Sequence, residues 1–183
     1  MKIYTIGHGN RTITELIDLL HENGIACLVD VRSAPYSRFN PQFNKESLEF
    51  SLGVAKIEYI FKGKQLGGRP TDPTCYKSGV LPAEGTDYLH EVDYQEVMKR
   101  PWFQQGIQHL AEMAAARPVA ILCSEEDPAA CHRHHLIARY MMEEFDADEE
   151  VQVLHIRERG VVFNASQIHK SVSDSQAKQG TLF

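Results

Sequence analysis

Apolar positions divide the chain into short strands and helices. Residues 2–6, KIYTI, read as a strand that ends in Gly7-His8-Gly9. Thr12-Ile-Thr-Glu15 is a capping-box pattern, and Ile13, Leu16, Ile17 and Leu20 recur at helical spacing. A helix therefore starts here, and Gly24 ends it. IACLVDVR, residues 25–32, is almost continuously apolar, the pattern of a strand buried on both faces. Strand, helix and buried strand in succession form a βαβ unit, which closes right-handed onto a parallel sheet. Pro35 and Pro41 set a loop over 33–42, a short helix follows over 45–52, and a third strand over 57–61. Residues 62–88 read as a long irregular loop, a feature that is usually functional or mobile. Helical stretches follow near 89–99 and 101–116, the second with Pro101 as its first residue. PVAILC, 118–123, is another buried strand. Asp127-Pro128 reads as N-cap and first position of one helix reaching residue 145. A last strand covers 151–156, with 160–163 as a short addition.

This alternation predicts an α/β fold: a single domain over 1–163 with a mostly parallel open sheet and flanking helices, a Rossmann-like three-layer arrangement. The tail, 164–183, is polar and is expected to be flexible. No run approaches the ~18 apolar residues of a membrane helix, and the first residues lack the apolar stretch of a signal peptide. The expectation is a cytoplasmic protein with no membrane partner. In such a compartment thiols stay reduced, so the four cysteines are core, catalytic or metal-binding groups rather than disulfides. Cys27 sits in an apolar strand and reads as a core thiol, and Cys75 lies in a loop.

Net charge is −6, against a general nucleic-acid coat. Residues 31–80 nevertheless carry eight Lys and Arg against four acids, a local net of +4. That asymmetry fits a site for an anion, such as a small molecule or nucleic acid; a solvated lysine-rich loop fits it equally.

In open parallel sheets, ligands bind beyond the carboxyl ends of the strands. Three strands here end in reactive groups: His8, Asp30 with Arg32, and Cys123 with Glu125. In the helix that follows Cys123, Leu136, Ile137, Tyr140 and Met141 form the buried stripe at 100° per residue. Arg133 falls near the stripe's centre, His132 on its flank, and His134 and His135 outside it. A guanidinium on a buried face needs a partner, and Asp30, Glu125 or a bound anion are the candidates.

Cys123 reads as a nucleophile, a metal ligand with Cys131 and His132 or His8, or a core thiol. Cys131 faces away from the stripe if the helix starts at Pro128, and could face Cys123 as a resolving thiol if it starts later. His8 and His132 are candidate general bases, against the ordinary structural histidine. Glu125 could orient a histidine. The loop 32–39, with Arg32, Ser37 and Arg38 among aromatics, can hold a phosphate and stack a base, or fold into the core as a stiff turn. Gly67-Gly68 lets backbone approach a ligand, or simply turns. No cofactor is predicted, with zinc as the alternative should the cysteines and His132 prove to be ligands.

The stretches TIGHGN at 5–10, LVDVRSAPYSRFNPQF at 28–43, YIFKGKQLGGRP at 59–70 and ILCSEEDPAACHRHHLIA at 121–138 resemble the family catalogued as domain of unknown function 488. The resemblance implies that His8, Asp30, Arg32, Pro35, Ser37, Tyr59, Gly67, Gly68, Cys123, Glu125, Cys131, His132 and Arg133 occupy motif positions. It supplies no reaction. The last five residues, Gln179–Phe183, resemble the Gln-x-x-Leu-Phe peptide by which bacterial proteins dock on the replication sliding clamp; a tail packed on its own domain is the alternative. Three functions follow as expectations. The first is an enzyme with Cys123 as nucleophile, acting as a hydrolase or transferase on a nucleotide or nucleic acid held by Arg32, Arg38 and Arg133. The second is a nucleic-acid-binding or adaptor module that docks by its tail. The third is a Cys/His metal site.

Overall fold

The strands β1 (Lys2–Gly7), β2 (Cys27–Asp30), β3 (Glu58–Phe61), β4 (Val119–Cys123), β5 (Gln152–Ile156) and β6 (Val162–Asn164) form one sheet in the computed structural model, which describes residues 1–83, 85–145 and 150–168. Their order is β3-β2-β4-β1-β5-β6. All neighbours are parallel except β6, which returns antiparallel along β5. The fold is α/β with a Rossmann-like layout. The order differs from simple succession, because β4 is inserted between β1 and β2. The ends of three strands are thereby brought together: Gly7 pairs with Cys123, and Asp30 with Leu122.

The helices are α1 (Ile13–Glu22), α2 (Lys45–Val54), α3 (Gly63–Leu66), α4 (Tyr88–Glu91), α5 (Tyr94–Met98), α6 (Pro101–Ala116) and α7 (Arg139–Glu143). The capping box of α1 forms as its sequence indicates: Thr12 and Glu15 exchange hydrogen bonds. Gly24 follows at φ 65°, a left-handed conformation costly to other residues. Strand side chains alternate, so the sheet buries both faces. Ile3, Val29, Val119, Ile121 and Val153 pack with α6 and residues 136–141. Ile6, Leu28, Ala120, Leu122 and Ile156 pack with α1 and α2. Each such fully buried Leu, Ile or Val contributes about 1.5–3 kcal/mol before the entropy of ordering it.

Three expectations are corrected. The segment 62–88 is not wholly irregular, since it contains α3 and a 3-10 turn, Pro73–Cys75, capped by Asp72. The stretch 89–99 is two helices, each with an aspartate N-cap, Asp87 and Asp93. They are interrupted at Val92, which bridges to Tyr76. The helix expected from 127 to 145 is broken. Asp127 caps only a 3-10 turn, Pro128–Ala130, and Cys131 is extended at φ −142°, ψ 141°. The chain becomes helical again at His132, winds as a π-helix over Arg133–Ala138, and tightens into α7. The corner at Cys131 has a physical cause. Arg133 folds back to donate from Nη1 to the Glu125 carbonyl and from Nη2 to the Glu126 carbonyl at 2.6 Å. A straight helix would carry it away from them. The wider winding also turns His134 inward, where it is buried, although α-helical spacing put it outside the stripe.

Candidate functional site

Alternation along the strands decides which groups can meet. Cys123 continues the side of Val119 and Ile121, toward the segment that carries His132. Asp30 continues the side of Leu28, toward α1 and α2. The rim therefore holds two compartments rather than the single pocket that its three strand ends suggest.

The first is a cleft of about 310 Å³ lined by Arg32, Gly68, Tyr94, Cys123, Cys131 and His132, with Ser33, Tyr36, Arg69 and Glu125 toward its mouth. Because the helix restarts after Cys131, the two thiols face each other across His132. Nδ1 of His132 lies 3.6 Å from Cys123 Sγ and 3.9 Å from Cys131 Sγ. His132 Nε2 donates to the Val31 carbonyl at 3.3 Å. That bond fixes the tautomer and leaves the Nδ1 lone pair turned toward sulfur. Gly68 permits the arrangement, since a Cβ there would stand 2.7 Å from the imidazole. Gly67 likewise has no room for a Cβ, which would lie 2.4 Å from Ser33 Oγ.

The two sulfurs differ. Cys131 Sγ accepts the Arg133 backbone N–H at 3.5 Å, at the point where the helix restarts. Burial pushes its thiol up, but the hydrogen bond from Cys123, the contact with the His132 ring and the positive charge of Arg133 outweigh it and bring Cys131 well below the usual thiol range. Cys123 moves the other way: its hydrogen bond to Cys131, then burial, then the repulsion of a negative Cys131 hold its proton. The two thiols are therefore unequal: Cys123 holds its proton the more firmly, and Cys131 gives its proton up the more readily. Elsewhere, burial pushes Cys27 up to about 11. The three groups could instead hold a soft metal ion, because one donor atom from each of Cys123, Cys131 and His132 lies within 4.8 Å of the others.

The second compartment is a groove of about 1030 Å³ lined by His8, Arg11, Ser37, Glu126 and Glu158, and it shares Tyr36, Ser124 and Glu125 with the first. His8 stacks on Phe43, ring centroids 4.5 Å apart, and Nδ1 donates to the Gly9 carbonyl at 2.9 Å. Burial is the main cause that takes its pKa down to about 4, so the ring is neutral.

Other expected site residues serve different ends. Asp30 is fully buried, lines neither compartment, and is not the partner of Arg133. It binds Arg32 twice, at 2.9 and 2.5 Å, and accepts the Tyr59 hydroxyl at 2.9 Å. Tyr59 thus holds Asp30, and burial followed by that carboxylate's charge raises the phenol. Arg133, fully buried, is spent on the two carbonyls and on Thr5 Oγ1 at 3.3 Å, so it supports the 123–127 loop from beneath. Ser37 Oγ accepts the N–H groups of Phe39 and Asn40 and shapes its own turn. Arg38 is exposed over the Phe39 ring.

Some groups escaped the sequence reading. Tyr94 and Arg69 line the cleft from a segment whose path no local pattern reveals, with Arg69 stacked over Tyr88 at 4.5 Å. His155 bonds Thr5 at 2.7 Å and His134 at 3.1 Å beneath the sheet edge; a histidine on the buried side of β5 was a signal that could have been used. Residues Gln179–Phe183 lie outside the described residues. Among the described residues no helix is long and apolar enough to cross a membrane.

Comparison with known proteins adds a family and no chemistry. No curated protein and no solved structure matches the chain. The family described as Domain of unknown function DUF488 matches residues 12–140, a span that includes Cys123, Cys131, His132 and Arg133 and stops short of His8, and the chain belongs to that family.

Proposed function

We propose that the protein is a cysteine-dependent enzyme, a hydrolase or transferase, which acts on an anionic substrate in the Arg32 cleft with Cys131 as nucleophile. The observation that carries this reading is the asymmetric thiol pair. One sulfur accepts a backbone N–H at a helix start, the other supplies a proton, and an oriented imidazole faces both. The reading moves the nucleophile from Cys123, the sequence's first choice, to Cys131. In the reaction the Cys131 sulfur bonds to the electrophilic centre, and the leaving group departs with the proton of Cys123. His132 Nδ1 then takes a proton from water, or from an acceptor, which attacks the adduct and releases the thiolate, and the ring returns that proton to Cys123 Sγ, 3.6 Å away. Arg32 lies at the buried floor of the cleft with its charge paired by Asp30, and Arg69, at the exposed wall, is the cation that favours an anion. Asp87 and Glu125, at the rim, are exposed.

The test is intact-protein mass spectrometry of the full chain incubated with phosphorylated nucleotides and then acid-quenched. An adduct that maps to Cys131 and vanishes in Cys131→Ser supports the reading. An adduct on Cys123, or one that survives in Cys131→Ser, removes it.

A second reading has its own observation. The separations of His132 Nδ1 from the two sulfurs, 3.6 and 3.9 Å, suit zinc bonds of about 2.0–2.3 Å in a tetrahedral site. The His132–Val31 bond is also the outer support that metal-binding histidines commonly have. Zinc would be held by Cys123, Cys131 and His132, with its fourth position open to the cleft. Stoichiometric zinc in protein purified without added metal, lost in Cys131→Ser, would replace the nucleophile reading with this one.

A further inference from the structure

His8 has an unused acceptor. Its Nδ1 proton is committed to the Gly9 carbonyl, so in the neutral ring Nε2 carries a lone pair. The residue is only 4% exposed, and Nε2 is buried with no hydrogen-bond partner. Leaving a buried polar atom unpaired costs about 1–3 kcal/mol, and native proteins rarely accept that without a use for the atom. Here the residue that carries the atom lines the second groove.

The groove's charge says what the partner is not. Six carboxylates line it, among them Glu15, Asp18, Glu22 and Glu158, against two guanidiniums, Arg11 and Arg159. Arg11 is already engaged by the Gly7 carbonyl and, at 3.2 Å, by Glu126. An anionic group is repelled, and a neutral group that donates hydrogen bonds is favoured. The neighbouring cleft has Arg69 on its exposed wall and Arg32, paired by Asp30, at its floor. The compartments meet at Ser124, Glu125 and Tyr36, and Tyr36 is 73% exposed, a flat ring offered to a ligand that spans both. β1 and β4 are adjacent strands about 4.8 Å apart, so the His8 end and the thiol end are within reach of one small molecule.

We infer that the groove is the second half of the substrate site and takes a nucleobase, whose N–H donates to His8 Nε2 and whose face stacks on Tyr36, while the attached phosphate lies at the Arg32 end of the thiol cleft. This rests on the proposed function for the phosphate end and adds the substrate class: a nucleotide. His8 is then a binding group rather than the general base expected of it.

Calorimetric titration of the full chain with AMP and, separately, with inorganic phosphate tests this. In the wild type AMP binds at least about ten-fold more tightly than phosphate, the worth of one well-placed hydrogen bond with stacking. His8→Phe keeps the stack on Phe43 but removes the acceptor. It loses most of the advantage of AMP and leaves phosphate affinity unchanged. His8→Gln, whose amide oxygen accepts, recovers part of it and guards against a misfolded variant. Phosphate binding with AMP no tighter, or an AMP affinity that His8→Phe does not alter, overturns the inference and leaves the anion cleft standing. Failure of both ligands to bind the wild type overturns the inference together with the anion reading.

Discussion

His132 acts through what each of its ring nitrogens meets. The Val31 carbonyl holds one, and the other must therefore face the thiols. Gly68 is the space that this orientation needs. Gly68→Ala puts a methyl group 2.7 Å from the ring, so it should cost about 1–3 kcal/mol and displace the base. A thermal melt, with labelling of Cys131 by iodoacetamide, checks both effects: lower stability together with slower labelling. His8 makes a pH prediction. Its pKa falls from the ordinary 6.5 to about 4 on folding, so between those values the unfolded chain binds the proton and the folded chain does not. Stability attributable to His8 is thus whole above pH 6.5, declines as pH falls, and is gone below about 4. The loss is up to about 3 kcal/mol. Urea unfolding at several pH values should show this acid limb, and His8→Phe should flatten it. The presence of His8 and Cys123 at strand ends was legible in the sequence. The inequality of Cys123 and Cys131 was not, because it depends on a backbone N–H whose direction follows from the corner at Cys131.

At the scale of elements, the segment 124–138 departs most from its local signals. Asp127-Pro128 is a sound helix start and does begin a turn. Local propensity cannot register that Arg133 must reach back to the carbonyls of Glu125 and Glu126, and that long-range demand breaks the helix at Cys131. The burial of Arg133 was readable from its stripe, but its partners were not, since carbonyls leave no mark in a sequence. Arg133→Met should leave those carbonyls unpaired and destabilise the protein by about 3 kcal/mol or more, with Arg133→Lys only a partial remedy. Chemical denaturation of the two variants measures this. The simpler elements were well marked: the capping box of α1, Pro101 opening α6, and the apolar runs of β2 and β4 all formed as read.

For the whole molecule, the sheet order is the feature that makes a site. The alternation of strands and helices gave the class of fold. The insertion of β4 between β1 and β2, which sets Cys123 beside His8, is decided by packing across the whole sheet, and nothing in a local pattern encodes it. The same alternation of side chains that builds two cores also divides the rim, so Asp30 and Cys123 end on opposite faces although their strands are neighbours. Asp30→Asn should therefore act through Arg32 and Tyr59, loosening the cleft floor and lowering stability by about 1–3 kcal/mol, while leaving the thiol pair intact. Thermal unfolding and thiol labelling of the variant separate the two effects.

The account depends most on the identity of the sulfur that carries the charge. Its most direct measurement is the rate of iodoacetamide labelling at each cysteine as a function of pH, followed by peptide mass spectrometry on metal-free protein. Cys131 should react first and keep reacting at pH values well below the ordinary thiol range. Cys123 should lag, and Cys27, at about 11, should label only on unfolding. Faster labelling of Cys123, or a Cys131 that titrates like an unperturbed thiol, would contradict the assignment of Cys131 as the nucleophile.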